Sequence, residues 1–373
     1  MIKVFILVLI AIFFTACSND DKIIPSGKKI NISILAPLSG DNKRYGRQSL
    51  LGMTKANDMK RYLHNGDEIA LHVADTKTIK KFFVKALNSA NENKNKVIVT
   101  FEGSNNLIEV KDELKQVKIP IIATLATNNE ITSLSDNMIQ ICMDNDMEAL
   151  VAAHFTKDEK LMHSVGIVYD KTNKYSSELA HEFKILYTRL GGKVKFYDDV
   201  STSSGFKKFK HRNKNNIDLL FSVANAKDSV QVITLIKKQN EKIEILSTDG
   251  LLNNALENER DNLELFNGIY VVENYAHTNP HTYEHKALKK YLLKYDLEES
   301  SYAYLAYDAY QLLYYALDIC VDYNEQCISA AMKNSDVIEG IKGNFSIINS
   351  KAKREVYVDK IMDSKLIKEI VIY

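Results

Sequence analysis

Two sets of residues could do chemistry together, and they sit in different halves of the chain. In the first half, hydroxyls, amides and glycines gather at Pro37-Leu38-Ser39-Gly40 with Tyr45-Gly46, at Gly103-Ser104-Asn105-Asn106, and at Ala126-Thr127-Asn128-Asn129. In the second, Asp170 with Tyr175, then Asn225, then Asp249-Gly250 supply carboxylates, an amide and an aromatic ring. Donors at one end and an anion at the other suit a zwitterion withdrawn from water, because a buried charge is costly unless it is paired and hydrogen-bonded. Taken singly, the same Ser, Thr and Asp are ordinary helix caps and turn formers. Only their recurrence as a set points to a site.

Other chemistries find little support. No Gly-x-Ser-x-Gly elbow or P-loop is present, and Gly103-Ser104 lacks the flanks of a hydrolase nucleophile. His277, His281 and His285 recur at a four-residue spacing that could align imidazoles for zinc, but Pro280 interrupts any helix that would do so. No catalytic residue, metal or cofactor is expected.

The elements that must position the two sets follow from apolar patterning. Short apolar runs alternate with amphipathic stretches from Asn31 onward, as in a parallel sheet with helices on both faces. The β-branched runs predict strands at 32–36, 69–74, 97–102, 119–125, 164–169, 193–197, 217–224, 243–248, 268–273 and 355–361. Helical patterns span 49–62, 147–156, 176–190, 282–295 and a tyrosine-rich 302–317, the last two with no strand between them. In open parallel sheets ligands bind beyond the carboxyl ends of the strands, and the residue sets above fall just after predicted strands.

The N-terminus reads as a targeting segment. Lys3 precedes an apolar run from Val4 to Phe14, eleven residues against the roughly 20 a membrane-spanning helix needs. Thr15 and Ala16 then lead to Cys17, which resembles a bacterial lipoprotein cleavage box except that Phe14 replaces the usual Leu. Cleavage there makes residues 1–16 a signal peptide, Cys17 the acylated first residue and 17–28 a polar linker. It also removes one lysine, so the formal charge falls from +1 to zero, too little cationic excess for a nucleic-acid binder. Of the other cysteines, Cys320 and Cys327 bracket a short polar segment and could pair in an oxidising compartment, whereas Cys142 lies in an apolar stretch and reads as a buried thiol.

Residues 32–59, with Ala-Pro-Leu-Ser-Gly and Tyr-Gly before a helix, together with Gly103-Ser104, Ala126-Thr127-Asn128 and Ala306-Tyr307-Asp308-Ala309, resemble the branched-chain amino-acid-binding proteins of ABC transporters. The resemblance runs from about residue 30 to the end. It implies an α/β fold of two Rossmann-like lobes with parallel sheets joined by a multi-strand hinge, the type I periplasmic binding fold. It also implies capture of a small amino-acid-like solute by lobe closure, delivery to ABC transporter membrane subunits, and no enzymatic activity.

By the same resemblance, Ser104 and Thr127, with backbone groups around Leu125 and Ala126, take the ligand carboxylate, and Asp249 takes the ammonium where better-known members have Glu. Tyr175 closes over the ligand, and Tyr45 and Tyr304 form aromatic walls. Glu102 stands where aliphatic-selective members have an apolar pocket residue, and Asn225 or Ala226 replaces a tyrosine. An unpaired Glu102 facing an aliphatic side chain would be costly, so either it points away or the solute brings a donor. The expected lobes are 29–145 with 276–344, and 146–275 with 345–373. A ligand-sensing module of the same fold with a partner receptor is the alternative.

Overall fold

The computed structural model describes residues 23–214, 216–224, 226–239, 242–248, 264–275, 282–297, 299–362 and 365–368. Cys17 and the targeting segment lie outside them, as do His277 and His281. In the first part the chain runs β1 (Lys29–Ala36), α1 (Lys43–Met59), β2 (Glu68–Asp75), α2 (Lys80–Glu92), β3 (Val97–Thr100), α3 (Ser104–Glu109), α4 (Lys111–Leu114), β4 (Ile121–Ala123) and β5 (Met138–Gln140). There follow α5 (Asn145–His154), β6 (Ser164–Tyr169), α6 (Lys174–Arg189), β7 (Lys193–Asp199), α7 (Ser203–Lys210), β8 (Leu219–Ser222), α8 (Ala226–Gln239), β9 (Glu244–Thr248) and β10 (Tyr270–Glu273). The last part is α9 (Tyr283–Leu293), α10 (Ser301–Ile319), α11 (Glu325–Lys333), β11 (Ile338–Gly340), β12 (Gly343–Ile348), β13 (Lys351–Lys353), β14 (Tyr357–Met362) and β15 (Lys365–Lys368).

These strands form two sheets, one per lobe. The first has the order β11-β12-β13-β5-β4-β3-β1-β2 and the second β15-β14-β10-β9-β8-β6-β7. Each has apolar clusters packed on both faces. That is why central strands such as Val97–Thr100 are buried throughout rather than alternating.

The sheets are mixed rather than purely parallel. β12 runs antiparallel to β11 and β13, and β14 runs antiparallel to β10 and β15. The lobe boundary moves accordingly. Residues 345–353, expected with the second lobe, pair in the first sheet, where β13 places Lys351 opposite Gln140 of β5 and the Lys351 Nζ lies 2.7 Å from Asp144 Oδ2. The chain returns to the second sheet only after residues 354–356.

Among the described residues three crossings therefore join the sheets: after β5, after β10, and before β14. Asn274 Oδ1 accepts the Met143 N–H at 2.9 Å, tying the first crossing to the second. Buried Asp308 on α10 ties the second to the third, accepting from Tyr275 Oη at 2.8 Å and Arg354 Nη2 at 3.1 Å, while its other oxygen takes the Ile341 N–H at 2.8 Å. A disulfide joins Cys320 to Cys327 between α10 and α11, with Cα atoms 5.9 Å apart, and Cys142 is a buried thiol outside any disulfide. Among the described residues no helix is long and apolar enough to cross a membrane.

α1 lies directly on α10, and Gly52 lets it. A Cβ at that position would overlap the Ala303 carbonyl. Gly52→Ala should therefore force the two helices apart and destabilise the protein by about 1–3 kcal/mol, seen as a lower urea midpoint; an unchanged midpoint would contradict the close approach.

Candidate functional site: a cleft between the two sheets

A cavity of about 350 Å³ opens where the carboxyl ends of both sheets meet. That volume is within the range of small-molecule sites. From the first lobe it is lined by Asn42, Tyr45, Ser104, Asn106, Leu125 and Thr127, and from the second by Asn173 and Tyr175. Cys142, Asn274, Tyr302 and Leu305 line it from the crossings and α10. A larger open groove of about 600 Å³ runs along the outer edge of the first sheet, between β2 and α2, and takes residues from one lobe alone.

Local structure explains most of the placement. The turn after β3 leads into α3 at Ser104, whose Oγ accepts the Asn128 N–H at 3.2 Å and so joins the two first-lobe loops. The loop after β4 is fixed from beneath. The Ala126 carbonyl accepts from Gln140 Nε2 at 2.6 Å and Cys142 Sγ at 3.2 Å, and the Thr127 carbonyl accepts the Asn145 N–H at 2.8 Å. Ala126 is thus buried under the cleft rather than lining it, while Leu125 and Thr127 face it.

Aromatic rings stand on both sides. Tyr45 packs tilted against Tyr302 with centroids 4.8 Å apart. From the second lobe the Tyr175 hydroxyl lies 3.2 and 3.3 Å from the two carboxylate oxygens of buried Glu148. Asn173 caps α6, accepting the Ser176 N–H. The lobes also touch: the Lys174 N–H donates to Asn105 Oδ1 at 2.8 Å, and the Asn129 N–H to Glu178 Oε2 at 3.2 Å.

Not every expected position is found among the described residues of the lining. Asp249 and Asn225 fall outside the described residues, as does the Ala226 side chain. Glu102 is 1% exposed and does not line the cavity; its two oxygens accept from Thr76 Oγ1 and Asn106 Nδ2. Burial pushes its carboxyl above the usual range, with neighbouring Asp75 adding to the rise against the two donors. One of these two partners, Asn106, does line the cleft.

Tyr304 is not a wall residue. It is wholly buried with its hydroxyl 2.9 Å from His285 Nε2, whereas Tyr302 and Leu305 face the cavity. At about 100° per residue, positions 302 and 305 share a helix face that position 304 cannot. Tyr302, Asn274 and Asn173 had no signal of their own in the sequence. Among the described residues the lining carries no charged side chain, and no group of three His, Cys, Asp or Glu could hold a metal.

Solved structures share this architecture over nearly the whole chain. A leucine-binding protein from Thermotoga maritima superposes with a TM-score of 0.80 at 22% identity, covering 92% of this chain and 98% of its own. The fold is that of the type I periplasmic binding proteins. A branched-chain amino-acid transporter substrate-binding protein from Streptococcus pneumoniae, in complex with isoleucine, gives 0.78 at 18%, covering 93% and 100%. A transporter solute-binding protein from Rhodopseudomonas palustris, in complex with 3,4-dihydroxybenzoic acid, gives 0.79 at 17%, covering 92% and 96%. No protein-family model and no curated protein sequence matches the chain.

Behind the wall formed by α10, His285 Nε2 and Lys289 Nζ stand 3.3 and 3.2 Å from Glu299 Oε1. Burial pushes the Glu299 carboxyl up, but His285 and Lys289 outweigh it and hold its pKa at about 2. A lowered folded pKa stabilises the protein above the ordinary value near 4.5, and that stability is lost as pH falls from there towards 2. Glu299→Gln should flatten the fall in melting temperature over this window; an unchanged acid limb would contradict the pairing.

Proposed function

We propose that the chain is an extracytoplasmic solute-binding protein that closes its lobes on a small amino-acid-like solute and delivers it to the membrane subunits of an ABC transporter. The observation that carries this reading is the cavity lined from both lobes and the hinge, with hydroxyl and amide donors, three tyrosines and an apolar patch of Leu125 and Leu305. No catalytic group is needed for that task. Lipid attachment at Cys17, after removal of residues 1–16, would keep the protein at the membrane face where its transporter works.

In this reading Ser104 and Thr127 donate to the solute carboxylate, Asp249 pairs with its ammonium, Tyr45 and Tyr302 flank its body, and Tyr175 comes down from the second lobe. Glu102 no longer argues against an aliphatic side chain, because its oxygens are engaged by Thr76 and Asn106. The similar structures include complexes with isoleucine and with a hydroxylated benzoic acid, both small carboxylates on a largely apolar body. The paired Tyr45 and Tyr302 rings suit either kind of body.

The test is a thermal-shift screen of the full chain, purified in mild detergent, against the twenty common amino acids, small amides, and aliphatic and aromatic carboxylates. A solute present at about 100 times its Kd adds about 2.7 kcal/mol to stability and raises the melting temperature measurably. Thr127→Ala should weaken the best binder by about 1.5–3 kcal/mol, the worth of a hydrogen bond to a charged group. A panel in which no compound shifts the transition would contradict the reading.

A further inference from the structure

Asn274 leaves the second sheet at the end of β10 and is 2% exposed, yet it lines the cleft. Its amide is oriented without ambiguity, because Oδ1 accepts the Met143 N–H at 2.9 Å and only the oxygen can do that. The other end is therefore an NH2 group, and this Nδ2 has no hydrogen-bond partner among the described residues. A buried donor left unmade calls for an explanation, since nearly all buried polar groups in folded proteins are satisfied. The described cleft lining holds no carboxylate that could take it.

We infer that Asn274 is a specificity-determining residue, whose Nδ2 donates to a carboxylate or carbonyl oxygen of the bound solute. The inference rests on the solute-binding reading above and sharpens it. Asn274 belongs to the hinge rather than to a loop of either lobe, and its oxygen is fixed to another crossing. Its donor therefore keeps its place while the lobes move, in contrast to Asn173 and Tyr175, which reach the solute only when the cleft is shut. A solute that offers a cation or an apolar group to this point leaves the donor unmade and is rejected; one that offers an oxygen is retained.

The variant that tests this is Asn274→Asp, which keeps the oxygen that holds Met143 and the size of the side chain but replaces the donor with a second acceptor. The full chain and the variant are titrated calorimetrically with each of the twenty common amino acids, benzoate and 4-hydroxybenzoate, at pH 7 and at pH 5. Every compound that binds wild type should bind the variant at least about tenfold more weakly at pH 7, a donor having been turned into a repelling acceptor. Part of that loss should recover at pH 5, where the introduced carboxyl, once protonated, can again donate. A merely structural role for the side chain would not produce that recovery.

Affinities within about threefold of wild type at pH 7, or a loss equally large at both pH values, would overturn the inference. Should the variant fail to melt cooperatively, wild-type protein labelled with 15N-asparagine gives the second readout. The Asn274 side-chain NH2 pair, assigned by its absence in Asn274→Ser, should move downfield on saturation with any binder, and a stationary pair overturns the inference. Wild type that binds no compound of the panel would overturn the solute-binding reading itself and this inference with it.

Discussion

The Asp308 carboxylate is the point on which the arrangement turns. It is fully buried on α10, and burial pushes its carboxyl above the usual range against the opposing pull of Arg354 and the hydrogen bonds from Ile341 and Tyr275. Two of its partners, Tyr275 and Arg354, sit on two different crossings between the lobes. The Arg354 guanidinium also stacks over the rings of Tyr275 and Phe345, 4.9 and 5.0 Å from their centroids. Removing one member of such a set leaves the others buried and uncompensated, which costs more than the pair itself contributes. The cluster fixes where the crossings lie on the first lobe. Asn274 with Met143 and Lys351 with Asp144 extend the same network to the remaining crossing.

A hinge fixed at one end and a cleft open at the other are two consequences of one topology. The parallel strands of both sheets deliver their loops to the same side, so first-lobe hydroxyls and second-lobe amide and phenol converge on one cavity. Contacts between the lobes at Asn105 with Lys174, and at Asn129 with Glu178 and Asp146, are a few hydrogen bonds, of whose residues only Asn105 lines that cavity. They are weak enough to be exchanged for water and are supplemented by whatever bridges the lobes from within.

Much of this was legible in the sequence because central strands of a covered sheet are apolar on both faces and stand out as runs. All ten runs read as strands lie on observed strands, whereas β11 and β13, three residues each, and the half-polar β12 form no apolar run, and β5 falls in the apolar stretch 138–143 that was not read as a strand. The lobe boundary was misplaced for that reason: Lys351-Ala352-Lys353 pairs in the first sheet through backbone bonds to which its side chains give no clue. α10 is buried on nearly every side, so its sequence carries no amphipathic phase, and nothing in Tyr302-Ala303-Tyr304 says which ring faces the cleft. Glu102 met Thr76 from another strand end, a partner 26 residues away that no local spacing reveals. Asn274 had no signal, since an amide after a strand is ordinary until its two ends are seen in different surroundings.

The proposed function requires residues from opposite lobes to meet around a solute by movement about the Asp308-anchored hinge. Small-angle scattering from the full chain, alone and saturated with the best compound from the screen, tests it most directly. The account predicts a smaller radius of gyration and a narrower distance distribution with solute bound. Scattering curves that superpose with and without a tightly bound solute would contradict it.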